Sequence, residues 1–139
     1  MDTKRLATGT LVGGITLFAV GYLIFDLAFA DFYAANAGSA TGVERGAQLV
    51  WAVALGSLSY AALITLAIGS RAGSSTIAAG VKSGAVVGFL LWFTVDFILY
   101  GITNTSNLTR TVVDPLLELV RAGIGGGVIA VVLARTRAA

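Results

Sequence analysis

A chain of 139 residues that is 57% hydrophobic and 12% charged, with a mean hydropathy of +0.90, is too short and too apolar to hide its apolar surface in a water-facing globule; small domains keep a large share of surface, and soluble ones are about a quarter charged. It has no Cys and no His, which excludes disulfide frameworks, Cys/His zinc sites, His-ligated haem and Ser–His triads. The net charge of +2 is spread without a basic stripe, so nucleic acid is not an expected partner, and no cofactor is expected.

Taken in order, four apolar segments, at about Leu6–Phe32, Ala47–Gly69, Ile77–Thr103 and Val112–Ala134, match the ~20 helical residues needed to cross a hydrocarbon core of about 30 Å. The expected fold is therefore a single all-α domain over residues 1–139, an integral membrane four-helix bundle. The first segment opens with Lys4 and Arg5 as a signal peptide does, but its apolar run exceeds the roughly 7–15 residues of a signal core, so it is read as a retained helix. The connections Tyr33–Ala40, Ser70–Ser75 and Asn104–Arg110 are short, which makes consecutive helices antiparallel neighbours. Lys4, Arg5, Arg71, Lys82, Arg135 and Arg137 fall on one side, with only Arg45 and Arg110 in the other loops. The positive-inside rule then puts both ends of the chain in the cytoplasm and the bundle in the cytoplasmic membrane.

The stretch Thr41–Gly56, TGVERGAQLVWAVALG, recurs as Thr111–Gly126, TVVDPLLELVRAGIGG. Glu44 answers to Asp114 and Gln48 to Glu118, and outside the window Gly14 answers to Gly84 and Asp26 to Asp96. This reads as one helical hairpin written twice, over residues 1–69 and 71–139, giving parallel repeats about an axis along the membrane normal. Thr41-x-x-Glu44 and Thr111-x-x-Asp114 have the form of capping boxes, which predicts a helical start near Thr41 and another near Thr111, with Pro115 tolerated in a first turn.

Gln48 and Glu118 stand about 10 Å inside their predicted helix starts, and Asp26 and Asp96 about as far from the same side of the bundle. An ionisable group in a membrane costs about 2.5–3.5 kcal/mol on insertion scales and faces the bundle interior. These four residues are therefore expected to share a polar layer in the outer half, with Arg121, three residues after Glu118, as counter-ion. Tyr22, Trp92 and Tyr100 are the flanking candidates for ligand or ion binding; no catalytic or metal-ligating set is expected. The alternative is a satisfied helix-to-helix network in which Glu118 pairs with Arg121. Gly80, Gly84 and Gly88 line one face of the third helix, and Gly9 and Gly13 one face of the first. Such spacing serves internal packing or, as the sharper possibility, contact with a second copy or a membrane partner.

In the second half, Gly84-Ala85-Val86-Val87-Gly88, Thr94-Val95-Asp96-Phe97 and Val113-Asp114 resemble a family of small predicted bacterial membrane proteins of unknown function, in which a glycine-rich helix ends in an aromatic-flanked aspartate and a Val-Asp pair opens the last helix. That family carries Trp-Gly where this chain has Leu117-Glu118. The resemblance implies four helices and no activity. Three functions stay open: a transporter, channel or small-ligand or lipid-binding protein, an accessory subunit of a larger membrane complex, and a lipid-active enzyme, for which no catalytic spacing speaks.

Overall fold

A computed structural model describes residues 1–70 and 76–136. Among these the structure is helical, without strands; one isolated antiparallel bridge joins Ala37 to Ser106. Helix α1 spans Thr3–Gly21, continues as a π-helical segment over Tyr22–Ala28 and is followed by the short α2, Ala30–Ala35. Then come α3, Val50–Gly69, α4, Ile77–Ile102, and α5, Leu108–Arg135. Four helical stretches, Thr3–Ala28, Val50–Gly69, Ile77–Ile102 and Leu108–Arg135, are long and apolar enough to cross a membrane.

Three helix starts carry a side-chain cap. Asp2 accepts from the Arg5 amide at 2.9 Å, Thr76 from Ala79 at 3.1 Å, and Asn107 from Arg110 at 2.9 Å. The last of these corrects the expected start of α5. Asn107 is a strong cap, so the helix begins one turn before Thr111, whose hydroxyl donates instead to the Asn107 carbonyl at 2.9 Å. Pro115 consequently lies two turns inside α5 rather than in its first turn; it cannot donate to the carbonyl of Thr111. The expected start near Thr41 is also corrected. Residues 41–49 are non-helical, Gly42 has a left-handed φ of +68°, and α3 starts at Val50 without a side-chain cap. Two glycines, Gly42 and Gly46, each cost about 1 kcal/mol against alanine in a helix, which disfavours an earlier start. The two similar sequence windows thus differ in backbone over their first nine positions, 41–49 and 111–119.

Packing follows the small residues. The face Gly80, Gly84, Gly88 is used inside the chain, against α5: a Cβ on Gly84 or Gly80 would run into the carbonyl of Ala122 or of Gly126. That close approach is the internal packing among the uses expected of this face. Helix α1 meets α3 where Gly9 faces Thr65 and Gly14 faces Leu58, and meets α5 where Gly13 faces Ile129 and Gly125 faces Leu17. The most extensive contacts join α4 to α5 and α1 to α3, while α3 and α4 touch sparingly. Helix α5 is the central element, 56% of its apolar window being buried against 6% for α4. Leu17, Ile64, Ile68, Ile129 and Leu133 form the core.

The two ends of the bundle are closed differently. At one, Arg5 Nη2 donates to the Leu133 carbonyl at 3.2 Å, and Gly69 lies against Met1. At the other, the segments after α2 and after α4 are clasped: Gly38 donates to Thr105 at 3.2 Å, Ala40 to Asn104 at 3.0 Å, and Asn107 to Asn36 through both main chain and side chain, at 3.3 and 3.1 Å. Arg71, Arg137 and the connection 71–75, all used in the orientation reading, lie outside the described residues.

The glycine face yields a direct check. Gly84→Leu forces α4 off α5 and should lower stability by about 1–3 kcal/mol or more, as overpacking does. Gly101→Ala, where an added Cβ meets nothing, should leave stability unchanged or slightly higher. Thermal unfolding of the two variants in detergent reads the difference; equal melting temperatures would contradict the close α4–α5 contact.

Candidate functional site

The site grows from one buried pair. Glu118 and Arg121 are a single turn apart on α5 and are 1% and 8% exposed. Arg121 Nη1 donates to Glu118 Oε1 at 2.7 Å. Its Nε donates to the Leu17 carbonyl of α1 at 2.9 Å, and its Nη2 lies 3.5 Å from Ser57 Oγ of α3. The guanidinium carbon lies 5.6 Å from the ring centroid of Phe25 and 5.8 Å from that of Tyr60. Planarity and five fixed donors let arginine engage several partners at once. Gly21 makes room for it: a Cβ there would sit 2.8 Å from Nη2.

Above this pair opens a cleft of about 910 Å³. The π-helical segment and α2 supply Phe25, Asp26 and Tyr33; the non-helical stretch before α3 supplies Glu44, Arg45 and Gln48; α4 supplies Trp92; and α5 supplies Arg110, Asp114, Glu118 and Arg121. Gln48 Nε2 donates to Asp26 Oδ1 at 2.6 Å, which ties the π-helical segment to the stretch before α3. The Tyr33 hydroxyl donates to Asp114, and Arg110 lies over the Tyr33 ring at 4.8 Å. Burial and the Asp114 carboxylate push the Tyr33 hydroxyl well above its ordinary pKa, so it stays a donor at neutral pH.

Of the expected polar layer, Asp26, Gln48, Glu118 and Arg121 line this one cleft. Asp96 lines a smaller cavity of about 200 Å³ that shares Trp92, Arg110 and Asp114 with it. Gln48 precedes its helix rather than standing a turn inside it. Tyr22 and Tyr100 are exposed and line none of these cavities. Trp92 and Asp96 are four residues apart and share a helix face; Tyr100, eight residues from Trp92, has rotated about 80° from it.

Three buried polar atoms lie together here, Glu118 Oε2, Tyr60 Oη and Trp92 Nε1, with the Tyr60 hydroxyl facing both the Glu118 carboxylate and the Trp92 indole. They are gathered where α3, α4 and α5 meet, since a Cβ on Gly88 would touch both the Tyr60 hydroxyl at 2.6 Å and the Glu118 carbonyl at 2.8 Å. Asp96 Oδ2 is a fourth such atom, in the smaller cavity.

Several site residues escape a reading of the sequence. Tyr33, Arg110, Ser57 and Tyr60 join through tertiary contacts that no spacing announces. Asp114 did leave a signal: with Glu118 and Arg121 it makes an i, i+4, i+7 stripe on one face of α5, which its resemblance to a capping residue obscures.

Removing Arg121 leaves the buried Glu118 carboxylate without its counter-ion and the Leu17 carbonyl without its side-chain donor. Arg121→Ala should cost about 3–5 kcal/mol, and Glu118→Gln about 1–2 kcal/mol, since an amide still accepts from the guanidinium. Unfolding of both variants in detergent gives the order; a larger loss for Glu118→Gln would refute the pairing. Comparison of the chain with protein-family models, with curated proteins and with solved structures finds no match, and the resemblance of the second half gains no support from it.

Proposed function

We propose that this is an integral protein of the cytoplasmic membrane whose four spans form two hairpins around a binding cleft for a small cationic solute, open on the outer side. Four long apolar helices support the membrane setting. The charge distribution supports the orientation. Every acidic residue except Asp2 lies in the half of the chain's helices and connections next to the cleft, whereas Lys4, Arg5, Lys82 and Arg135 lie toward the opposite end. Preferential packing of α1 on α3 and of α4 on α5 supports the hairpins, and the similarity of Thr41–Gly56 to Thr111–Gly126 supports their origin by duplication.

One observation carries the binding reading: Glu118, a buried carboxylate, lines a cleft that Asp26, Glu44 and Asp114 line as well. Ionised carboxylates accept hydrogen bonds and cannot donate them, and an ammonium group supplies only donors. The four carboxylates of the cleft, Asp26, Glu44, Asp114 and Glu118, outnumber its three guanidiniums, Arg45, Arg110 and Arg121, and that excess favours a cation's approach. Below the Glu118–Arg121 pair the bundle is filled by Leu17, Ile129 and Leu133, so the cleft is blind. Binding is therefore favoured over passage, and a carrier cycle would require a second arrangement opening toward the basic end. The accessory-subunit reading draws on α4, whose apolar window is the least buried. Lipid covers such a face as well as a partner does, which places that reading second.

The chain has two tryptophans, and Trp51 is exposed on α3, so a Trp51→Phe background isolates the signal of Trp92. Ethanolamine titrated into this protein in nanodiscs should shift Trp92 fluorescence saturably. Glu118→Gln should weaken the affinity by about ten- to a hundredfold, the value of one charge-assisted hydrogen bond. Unchanged affinity, or no saturable response, would remove this reading. The absence of native cysteine makes the orientation measurable too. Ser39→Cys should react with a membrane-impermeant maleimide added outside intact cells, and Thr3→Cys only after permeabilisation; the opposite pattern would invert the cleft.

A further inference from the structure

Resting on the reading of the cleft as a cation site, we infer that Val43-Glu44-Arg45 is a strap that folds over the occupied cleft, exchanging the guanidinium of Arg45 for the bound cation and bringing the carboxylate of Glu44 onto it. All ten residues from Thr41 to Val50 are exposed, yet Val43, Glu44, Arg45, Gln48 and Leu49 line the cleft. The stretch is a rim laid along the cleft, not a wall packed into the bundle. It is anchored at two points: the Ala40 amide donates to the Asn104 carbonyl at 3.0 Å, and the Gln48 side chain donates to Asp26 at 2.6 Å. Between these anchors, residues 41–47 make no hydrogen bond to another described residue. A segment with so few bonds and buried contacts rearranges at little cost.

Glycines supply the pivots. Gly42, with its φ of +68°, precedes the triplet and Gly46 follows it, and a Cβ added at either would meet nothing within 4 Å. Glycine reaches both halves of the φ range, so the triplet can turn while both anchors hold. The charges decide which way it turns. Of the three guanidiniums of the cleft, Arg121 is bonded to Glu118 and to the Leu17 carbonyl, and Arg110 lies over the Tyr33 ring. Arg45 has no ion-pair, hydrogen-bond or ring partner among the described residues, and neither has Glu44. Arg45 is thus the counter-charge of the empty cleft that nothing holds in place. A cation in the cleft repels it and attracts the neighbouring Glu44. Val43 is 55% exposed, and folding the triplet inward removes that apolar surface from water, which favours closure. A closed strap retains the ligand, so its effect belongs chiefly to the rate of release.

The test places a bimane fluorophore on Val43→Cys in the Trp51→Phe protein in nanodiscs, where Trp92 quenches it on approach. Ethanolamine should quench the bimane saturably, with the midpoint at which it shifts Trp92 in the unlabelled protein. Bimane on Ser39→Cys, ahead of the first anchor, should not respond. Adding Glu44→Gln should abolish the quenching and speed ethanolamine release about fivefold, and Arg45→Gln should tighten binding about two- to fivefold, the range of an exposed charge pair. Both side chains are exposed, and unchanged thermal unfolding shows that the variants are folded. If ethanolamine shifts Trp92 saturably but the Val43 bimane does not respond, responds equally in Glu44→Gln, or responds no more than the Ser39 bimane, the strap is overturned while the cation site stands. Weaker binding by Arg45→Gln overturns the exchange, because Arg45 would then support the site rather than occupy it. If ethanolamine does not bind, both readings fall.

Discussion

The buried guanidinium of Arg121 is the point on which the bundle turns. It stands on the central helix α5 and reaches the Leu17 carbonyl of α1, Ser57 of α3 and Glu118 on its own helix. Such a charge is tolerable away from water only when its donors are engaged, so three helices must hold their register around it. Gly21 is explained by the same constraint, because any larger residue would occupy the volume of the guanidinium. The change in helical winding begins at Tyr22, immediately after the point where α1 passes the arginine. A π-helical segment is often found at functional sites, and this one carries Phe25 and Asp26 on the cleft wall.

The same pair divides the molecule into two chemistries. On one side of it small and branched apolar residues pack closely, with glycine permitting α4 and α5 to approach backbone to backbone. On the other side the helices separate around polar groups, and the space between them is cleft rather than core. The arginine thus serves as a floor: its donors are engaged by neighbours in the bundle, and its carboxylate partner Glu118 is buried beside it.

The helical class and the four long apolar segments were legible in the sequence because hydropathy over twenty residues survives any detail of packing. The ends of helices were not. Thr111 and Thr41 look alike as caps, yet Asn107 captures the start of α5 a full turn earlier, and Gly42 and Gly46 release the residues before Val50 from helix altogether. Within the site, the Glu118–Arg121 pair was readable because three residues on a helix are neighbours by geometry. Tyr33 on Asp114, and Ser57 and Leu17 on Arg121, depend on which helices lie side by side, and neither spacing nor composition carries that. Asp26 lies in a π-helical segment and Gln48 in no helix at all, so the straight helices from which a common depth was read do not describe their backbone, yet the fold brings both to the cleft that Glu118 lines.

The clasp at the cleft end has a consequence for the order of assembly. Asn36, Gly38 and Ala40 bond to residues that follow them by more than sixty positions, and the loop-closure cost of such distant contacts must be met before they give any return. Each hairpin can form from local contacts as it is synthesised, but the clasp cannot close until α4 is complete and α5 has begun. Arg121 emerges later still. Until then Leu17 and Ser57 lack its side-chain donors, and the early hairpin relies on contacts such as its glycine-mediated packing and the Asp26–Gln48 bond. The final native contacts of the first half therefore belong to the last helix made, and a chain interrupted before α5 would keep its early hairpin without the contacts that fix it.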